Sequence, residues 1–290
     1  MSSAMKKYSI ILIAIFFVSN CSVQKIALRS MSGILDNSMA ALFEESDLKL
    51  AEQAIASDLK LLEGLIKSDP NNEKFLLLAC QGFASFALGF VEDHDPDRAQ
   101  LLYLRGRDYG LKILQKNHSL QPALSGDLDR LAAALKKFDQ NEVPALFWTA
   151  NNWANWINLN LTDTDALADL PRVQLMMQRV LELDEGYFFG GAHLFFATIY
   201  ASRPKLLGGD LDKAQHHFSR CFEFAQDKFL LPYVYYARYY APRTFDTELF
   251  TTTLQKVLAA PDDILPEQRL PNAVAKRKAR ELLQRIDELF

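Results

Sequence analysis

The sequence predicts an all-α protein, a repeat array of antiparallel helix pairs in a right-handed superhelix. Apolar residues recur at helical spacing along nearly the whole chain, and no β-hairpin or strand-helix alternation interrupts them. Two segments, LLEGLIKSDPNN at 61–72 and MMQRVLELDEGY at 176–187, end helices in the same apolar, acidic, turn order. Small and aromatic residues recur at set offsets around them, as stacked helix pairs require. The chain has 290 residues, 49% of them hydrophobic, enough to bury a sizeable core in one domain or array. A formal net charge of -4 and the lack of a basic stripe speak against a nucleic-acid partner.

In chain order, Lys6 and Lys7 precede a short apolar run from Ile10 to Val18, with Cys21 just beyond it. This is the layout of a signal peptide, and the run is short for a permanent span. The cysteine stands where a bacterial lipobox would acylate it, although Asn20 replaces the usual Gly, Ala or Ser. Residues 1–20 are therefore expected to be a lipoprotein signal peptide and Cys21 the lipid attachment. Residues 21–45 read as a tether with a first short helix, and 46–290 as the repeat domain. Ser46 is expected to cap a helix running to Lys67, which Pro70 stops. Helices follow at Glu73–Val91 and Asp97–Gln115. A break at Asn117–Asp127 leads to a short helix ending near Asp139. The helix after Glu142 carries Trp148, Trp153 and Trp156, all the tryptophans of the chain. A last helix from about Pro271, with Leu282, Leu283, Ile286 and Leu289 on one stripe, is expected to cap the array.

The repeat offsets are those of the tetratricopeptide pattern, small at positions 8 and 20 and aromatic at 11 and 24. Ala87, Phe90, Ala99 and Tyr103 meet them without a gap. Ala197 and Tyr200 meet the first pair again, and Ala214 and Phe218 the second, five residues late across SRPKLLGGD. Ala237 and Tyr240 start a further unit. The small residues let paired helices approach, and the large ones fill the layer between pairs.

No catalytic motif survives a search of the sequence. GxSxG, HExxH, GxxxxGK[ST] and GxGxxG are all missing. His216 and His217 are adjacent, so they do not share a helix face, and no metal is expected there. His216 reads as exposed and His217 as packed. Asp93, Asp95 and Asp97 open like a calcium loop, but Pro96, Arg98 and Leu104 stand where flexibility, Gly and Glu are needed. They read as an acidic turn in which Asp95 or Asp97 caps the next helix. KRKAR at 276–280 reads as a solvated helix face. Cys80 and Cys221 read as buried free thiols, with a disulfide as the alternative. Arg107, beside Tyr103, could hold a carboxylate or lie in a surface ion pair. Gly106 and Gly110 place one helix face tight against a neighbour.

The tryptophan helix is the candidate binding wall. Asn151, Asn155 and Asn158 share one stripe; Trp148, Asn152 and Trp156 share the next; Trp153 and Ile157 lie on a third. No charge occurs from Phe147 to Thr162. A charge-free helix of aromatic and amide side chains suits the wall of an organic-ligand pocket, or a central buried helix bonded across its crossings. The expected lining is Trp148, Asn151, Asn152, Trp153, Asn155 and Trp156, with Tyr103, Arg107 and Tyr200.

The lipobox, YLRGRDYGLKIL, PALFWTANNWANWI, LPRVQLMMQRVLELDEGY, GGDLDKAQHHF and RLPNAVAKRKARELLQRIDELF together resemble the TatT component family, the tetratricopeptide-like lipoproteins associated with TRAP transporters. The resemblance covers nearly all of the mature chain. It implies a non-catalytic, all-helical protein without a cofactor, at the periplasmic face of the bacterial cell envelope, and lipid-anchored in the outer membrane rather than the inner. It also implies a homotrimer, a largely hydrophobic pore in each protomer, and a periplasmic TRAP-type solute-binding protein as partner. An apolar or carboxylate ligand would be passed between the two. The family pattern leads one to expect small residues around Trp148 and Trp153, so Asn151, Asn152, Asn155 and Trp156 imply a narrower, more polar pore. A scaffold binding only a protein or peptide is the alternative. A hydrolase would need a nucleophile-base pair at His193 or His217.

Overall fold

The computed structural model describes residues 32–290, so the signal-peptide and Cys21 expectations lie outside the described residues. The described residues form helices and turns with no strand. Helices α1 (Ser32–Phe43), α2 (Leu48–Ser68), α3 (Glu73–Phe86) and α4 (Pro96–Leu114) come first. Two short ones follow, α5 (Leu120–Leu124) and α6 (Leu128–Leu135). The middle of the chain holds α7 (Val143–Asn158), α8 (Thr164–Leu183), α9 (Tyr187–Ser202) and α10 (Leu211–Ala225). The end holds α11 (Leu231–Tyr235), α12 (Thr247–Ala259), α13 (Arg269–Gln284) and α14 (Ile286–Leu289).

Carboxylates and one amide start these helices. Asp47, Asn72, Asp95, Asp127, Asp163, Asp210 and Asp246 each accept hydrogen bonds from backbone N–H groups of the first turn. The expected cap Ser46 is thus displaced by Asp47, whose Oδ1 accepts from Lys49 N at 2.9 Å and Leu50 N at 3.1 Å. Asp95 caps α4, accepting from Arg98 N at 3.1 Å.

Successive long helices pack on one another, and α7 also packs on α3 and α4. This is compatible with the tetratricopeptide-like pairing. The close approach of α4 to α7 rests on missing side chains. A Cβ at Gly106 would strike the Asn152 amide, and one at Gly110 the Thr149 hydroxyl.

Helix α13 departs from expectation. It packs on α11 and α12 but also reaches α1 and α2 at the other end of the chain. Leu270 and Val274 join the core of Ile55, Phe75 and Phe83. KRKAR is not a solvated face: Lys276 is 8% exposed and Lys278 4%. The reason is the acidic turn after α3. Lys278 pairs with Glu92 at 3.0 Å and with Asp93, and Arg277 donates to Gly89 O at 2.7 Å. Lys276 pairs with Asp262 at 2.5 Å. The array is closed by its own last long helix rather than merely capped.

Candidate functional site

Closure leaves a cavity of about 170 Å³ bordered by α3, α7, α9, α11 and α13. Its walls are mostly apolar and aromatic, which is the composition expected of a small-molecule pocket. Three backbone irregularities face it. The end of α3 widens into a π turn, Ala87–Val91, in which Glu92 N donates to Ala87 O at 2.9 Å. Leu88, Gly89 and Phe90 of that turn border the cavity. The end of α11 widens likewise over Tyr236–Tyr240, and Tyr235 and Tyr239 border it there. Such turns recur at functional sites because they shift side chains out of helical register.

The third irregularity is the start of α9. Phe188, Phe189 and Gly190 are left-handed, with φ of 48°, 57° and 73°. For a residue with a Cβ this costs about 1–2 kcal/mol each. The turn aims both phenylalanine rings at the cavity. Phe188 packs edge-on to Trp148 at 4.7 Å, and Phe189 stacks on Phe229 at 4.3 Å. Strain held by surrounding packing is what a binding site would be expected to keep.

Helix α7 presents Trp148, Asn151, Asn155 and Asn158 to the same space. Trp148 Nε1 donates to Tyr187 Oη at 3.2 Å. Asn155 Nδ2 donates to Asn151 Oδ1 at 3.3 Å, and Asn158 Nδ2 to Tyr239 Oη at 3.4 Å. The asparagine stripe therefore runs along the cavity wall with amide groups to spare.

A family model described as TAtT, TRAP transporter T-component, matches residues 44–290. The chain belongs to the TRAP transporter T-component family. Membership makes it an accessory of a TRAP system and places it with the cell envelope. The chain is also similar to an uncharacterized protein of Treponema pallidum (strain Nichols), 24% identical over 303 residues that cover 94% of each chain.

In this T-component, three of the expected lining residues, Trp148, Asn151 and Asn155, border the cavity. The others lie elsewhere, each for a visible reason. Asn152 is fully buried against α3 and α4, donating to Cys80 O and Trp148 O at 2.9 Å each. Trp153 faces the other way, its Nε1 donating to Asp169 at 3.1 Å, with Arg107 over its ring at 5.3 Å. Arg107 also pairs with Asp108 at 2.8 Å, the surface ion pair. Trp156 packs between two core clusters. Tyr103 is buried, donating to Glu92 at 2.5 Å. Tyr200 stacks on Phe196 and His217. Sequence reading missed Phe188, Phe189, Tyr235, Tyr239 and Arg203 on the wall. The FFGG at 188–191 was the available signal, since paired glycines mark a break in helical backbone.

The histidines form a separate group. His193 Nδ1 lies 2.7 Å from His217 Nδ1, and its Nε2 lies 2.9 Å from Glu185. Glu185 accepts at Nε2, so His193 is protonated there and His217 donates between the rings. Neither ring is bonded to a hydroxyl or thiol among the described residues. Cys80 and Cys221 are free and buried, and burial pushes the Cys80 thiol up to about 12.

Three helix ends meet at one edge of the molecule. Asn158 of α7 reaches Tyr239, and Tyr239 and Tyr240 pack on the cluster holding Ala201 of α9. The turns that follow carry Leu161, Leu206, Leu207 and Phe245 exposed to solvent, Leu206 at 98% and Phe245 at 85%.

Proposed function

We propose that the protein is a non-catalytic, lipid-anchored accessory of a TRAP-type system, held through Cys21 at the periplasmic face of the outer membrane. It shelters a small organic ligand in the cavity and passes it to or from a periplasmic solute-binding protein. The observation that carries this reading is the convergence of two π turns and a strained left-handed turn on one aromatic-walled cavity. A helical core without a ligand has no need of three such departures in one place. The exposed leucines and Phe245 beside the cavity support docking of a protein at that edge, whether the solute-binding protein or further copies in a homotrimer. The same edge favours the second reading, a scaffold that binds protein alone.

Calorimetric titration with toluene, a neutral aromatic probe small enough for the cavity, separates them. Trp148→Ala is expected to weaken probe binding by about tenfold, the loss of one large aromatic contact. Trp153→Ala, outside the cavity, is expected to leave it unchanged. Equal binding by wild type and a folded Trp148→Ala variant sinks the cavity reading. Leu206→Asp with Leu207→Asp is expected to abolish co-purification with a TRAP solute-binding protein. Retained co-purification removes this edge as the docking face.

A further inference from the structure

The two ends of the cavity differ in chemistry. Along α7 the lining passes from Phe147 and Trp148 to Asn151, Asn155 and Asn158. Along α9 it passes from Phe188 and Phe189 to Thr198, Ser202 and Arg203. The two helices run in the same sense. Trp148 meets Tyr187 and Phe188 near the start of α9. The far end of each helix reaches the Tyr239–Tyr240 group. The polar groups of these two helices therefore share one end of the cavity, interleaved with Ile157, Leu161, Phe195 and Ile199, while Phe147, Trp148, Phe188 and Phe189 wall the other.

Arg203 stands at the polar end, half-buried. Of the other half-buried arginines, Arg107, Arg172, Arg179, Arg220 and Arg277 each hold a carboxylate, and Arg269, which holds none, is not on the cavity wall. Arg203 has no such partner among the described residues, and burial alone lowers its pKa. A guanidinium stays protonated in proteins, so this one is a cation partly stripped of water with nothing to offset the loss. Arginine matches oxyanions through paired N–H donors, and the spare amides of Asn151 and Asn155 face the same space.

We infer that Arg203 is the head-group site of the cavity, and that the ligand is an amphiphile bearing one organic oxyanion on an apolar chain. The inference rests on the ligand-cavity reading above. The head lies at Arg203, and the chain runs towards the end of the cavity walled by Trp148 and Phe188. Size limits the chain: an apolar cavity of ~150 Å³ holds benzene, so about 170 Å³ takes an apolar part of roughly six to eight carbons.

Calorimetry with octyl probes tests this. Octanoate and octyl phosphate carry the oxyanion; 1-octanol and methyl octanoate do not. Wild type is expected to bind at least one oxyanion probe about tenfold more tightly than 1-octanol, as a charge-assisted contact provides. Whichever head is preferred names the ligand as carboxylate or phosphate. Arg203→Gln is expected to remove that preference while leaving 1-octanol affinity unchanged. A wild type without head-group preference, or an Arg203→Gln variant that keeps it, overturns the inference and leaves the cavity reading standing. Failure of every octyl probe, 1-octanol included, overturns both. The wild-type comparison needs no variant, so misfolding of Arg203→Gln does not shield the idea.

Discussion

At Asn152 the amide nitrogen holds the Cys80 and Trp148 carbonyls, while Oδ1 lies over Gly106. Here an amide serves as a spacer between three helices, not as a ligand contact. The tight face of Gly106 and Gly110 was legible because glycines four apart fall on one side of a helix. Which tryptophan faces the cavity was not, because three stripes of one helix are equivalent until its neighbours are known. Gly106→Ala is expected to cost about 1–3 kcal/mol in urea denaturation, as overpacking does. Gly64→Ala, with open space around it in α2, is expected to stabilise by up to about 1 kcal/mol. The histidine pair makes a pH prediction. Burial, then the neighbouring His193, His216 and Lys213, lower the His217 pKa from 6.5 to about 4. Unfolded chains take up the proton that the folded one refuses, so stability falls as pH drops from 6.5 towards 4. His217→Phe is expected to flatten the urea midpoint between pH 6.5 and 5, above the range where ordinary carboxylates titrate. An unflattened profile removes His217 as the cause.

At the level of elements, the starts of α2, α3 and α4 were legible to within a residue or two, because Asp and Asn before an apolar run satisfy free N–H groups, whereas α5 lies inside the expected break at Asn117–Asp127, with no side-chain cap to announce it. The π turns were not. They need one extra residue per turn, and ALGFV and YARYY differ little from ordinary helix in composition. Helix α13 misled for another reason: KRKAR has helical charge spacing, but the counter-charges that bury Lys278 are Glu92 and Asp93, out of reach of any local pattern. Lys278→Met is expected to leave Glu92 and Asp93 short of a buried partner. It should cost about 3 kcal/mol in urea denaturation, with Arg277 and Arg238 limiting the loss. A change below about 0.5 kcal/mol, the ordinary surface value, refutes the clamp.

For the whole molecule, the all-α class was legible from periodicity, and the family from its scattered motifs. The closed shape was not, since neither offsets nor composition encode which helices meet across most of the chain. Closure also bears on what the cavity can do. An open array presents a groove to a partner, whereas a closed one surrounds a ligand on several sides.

The Arg277 contact with Gly89 spans 188 positions. A chain made from its N-terminus therefore completes α3, α7 and α9 well before α13 exists to meet them. Until α13 is synthesised and docks, the core of Ile55, Phe75 and Phe83 lacks Leu270 and Val274. The cavity is completed only once α13 has been made, in one long-range step of the slow kind. During that interval the unfinished protein is an apolar surface in need of company, and a chaperone would have reason to hold it.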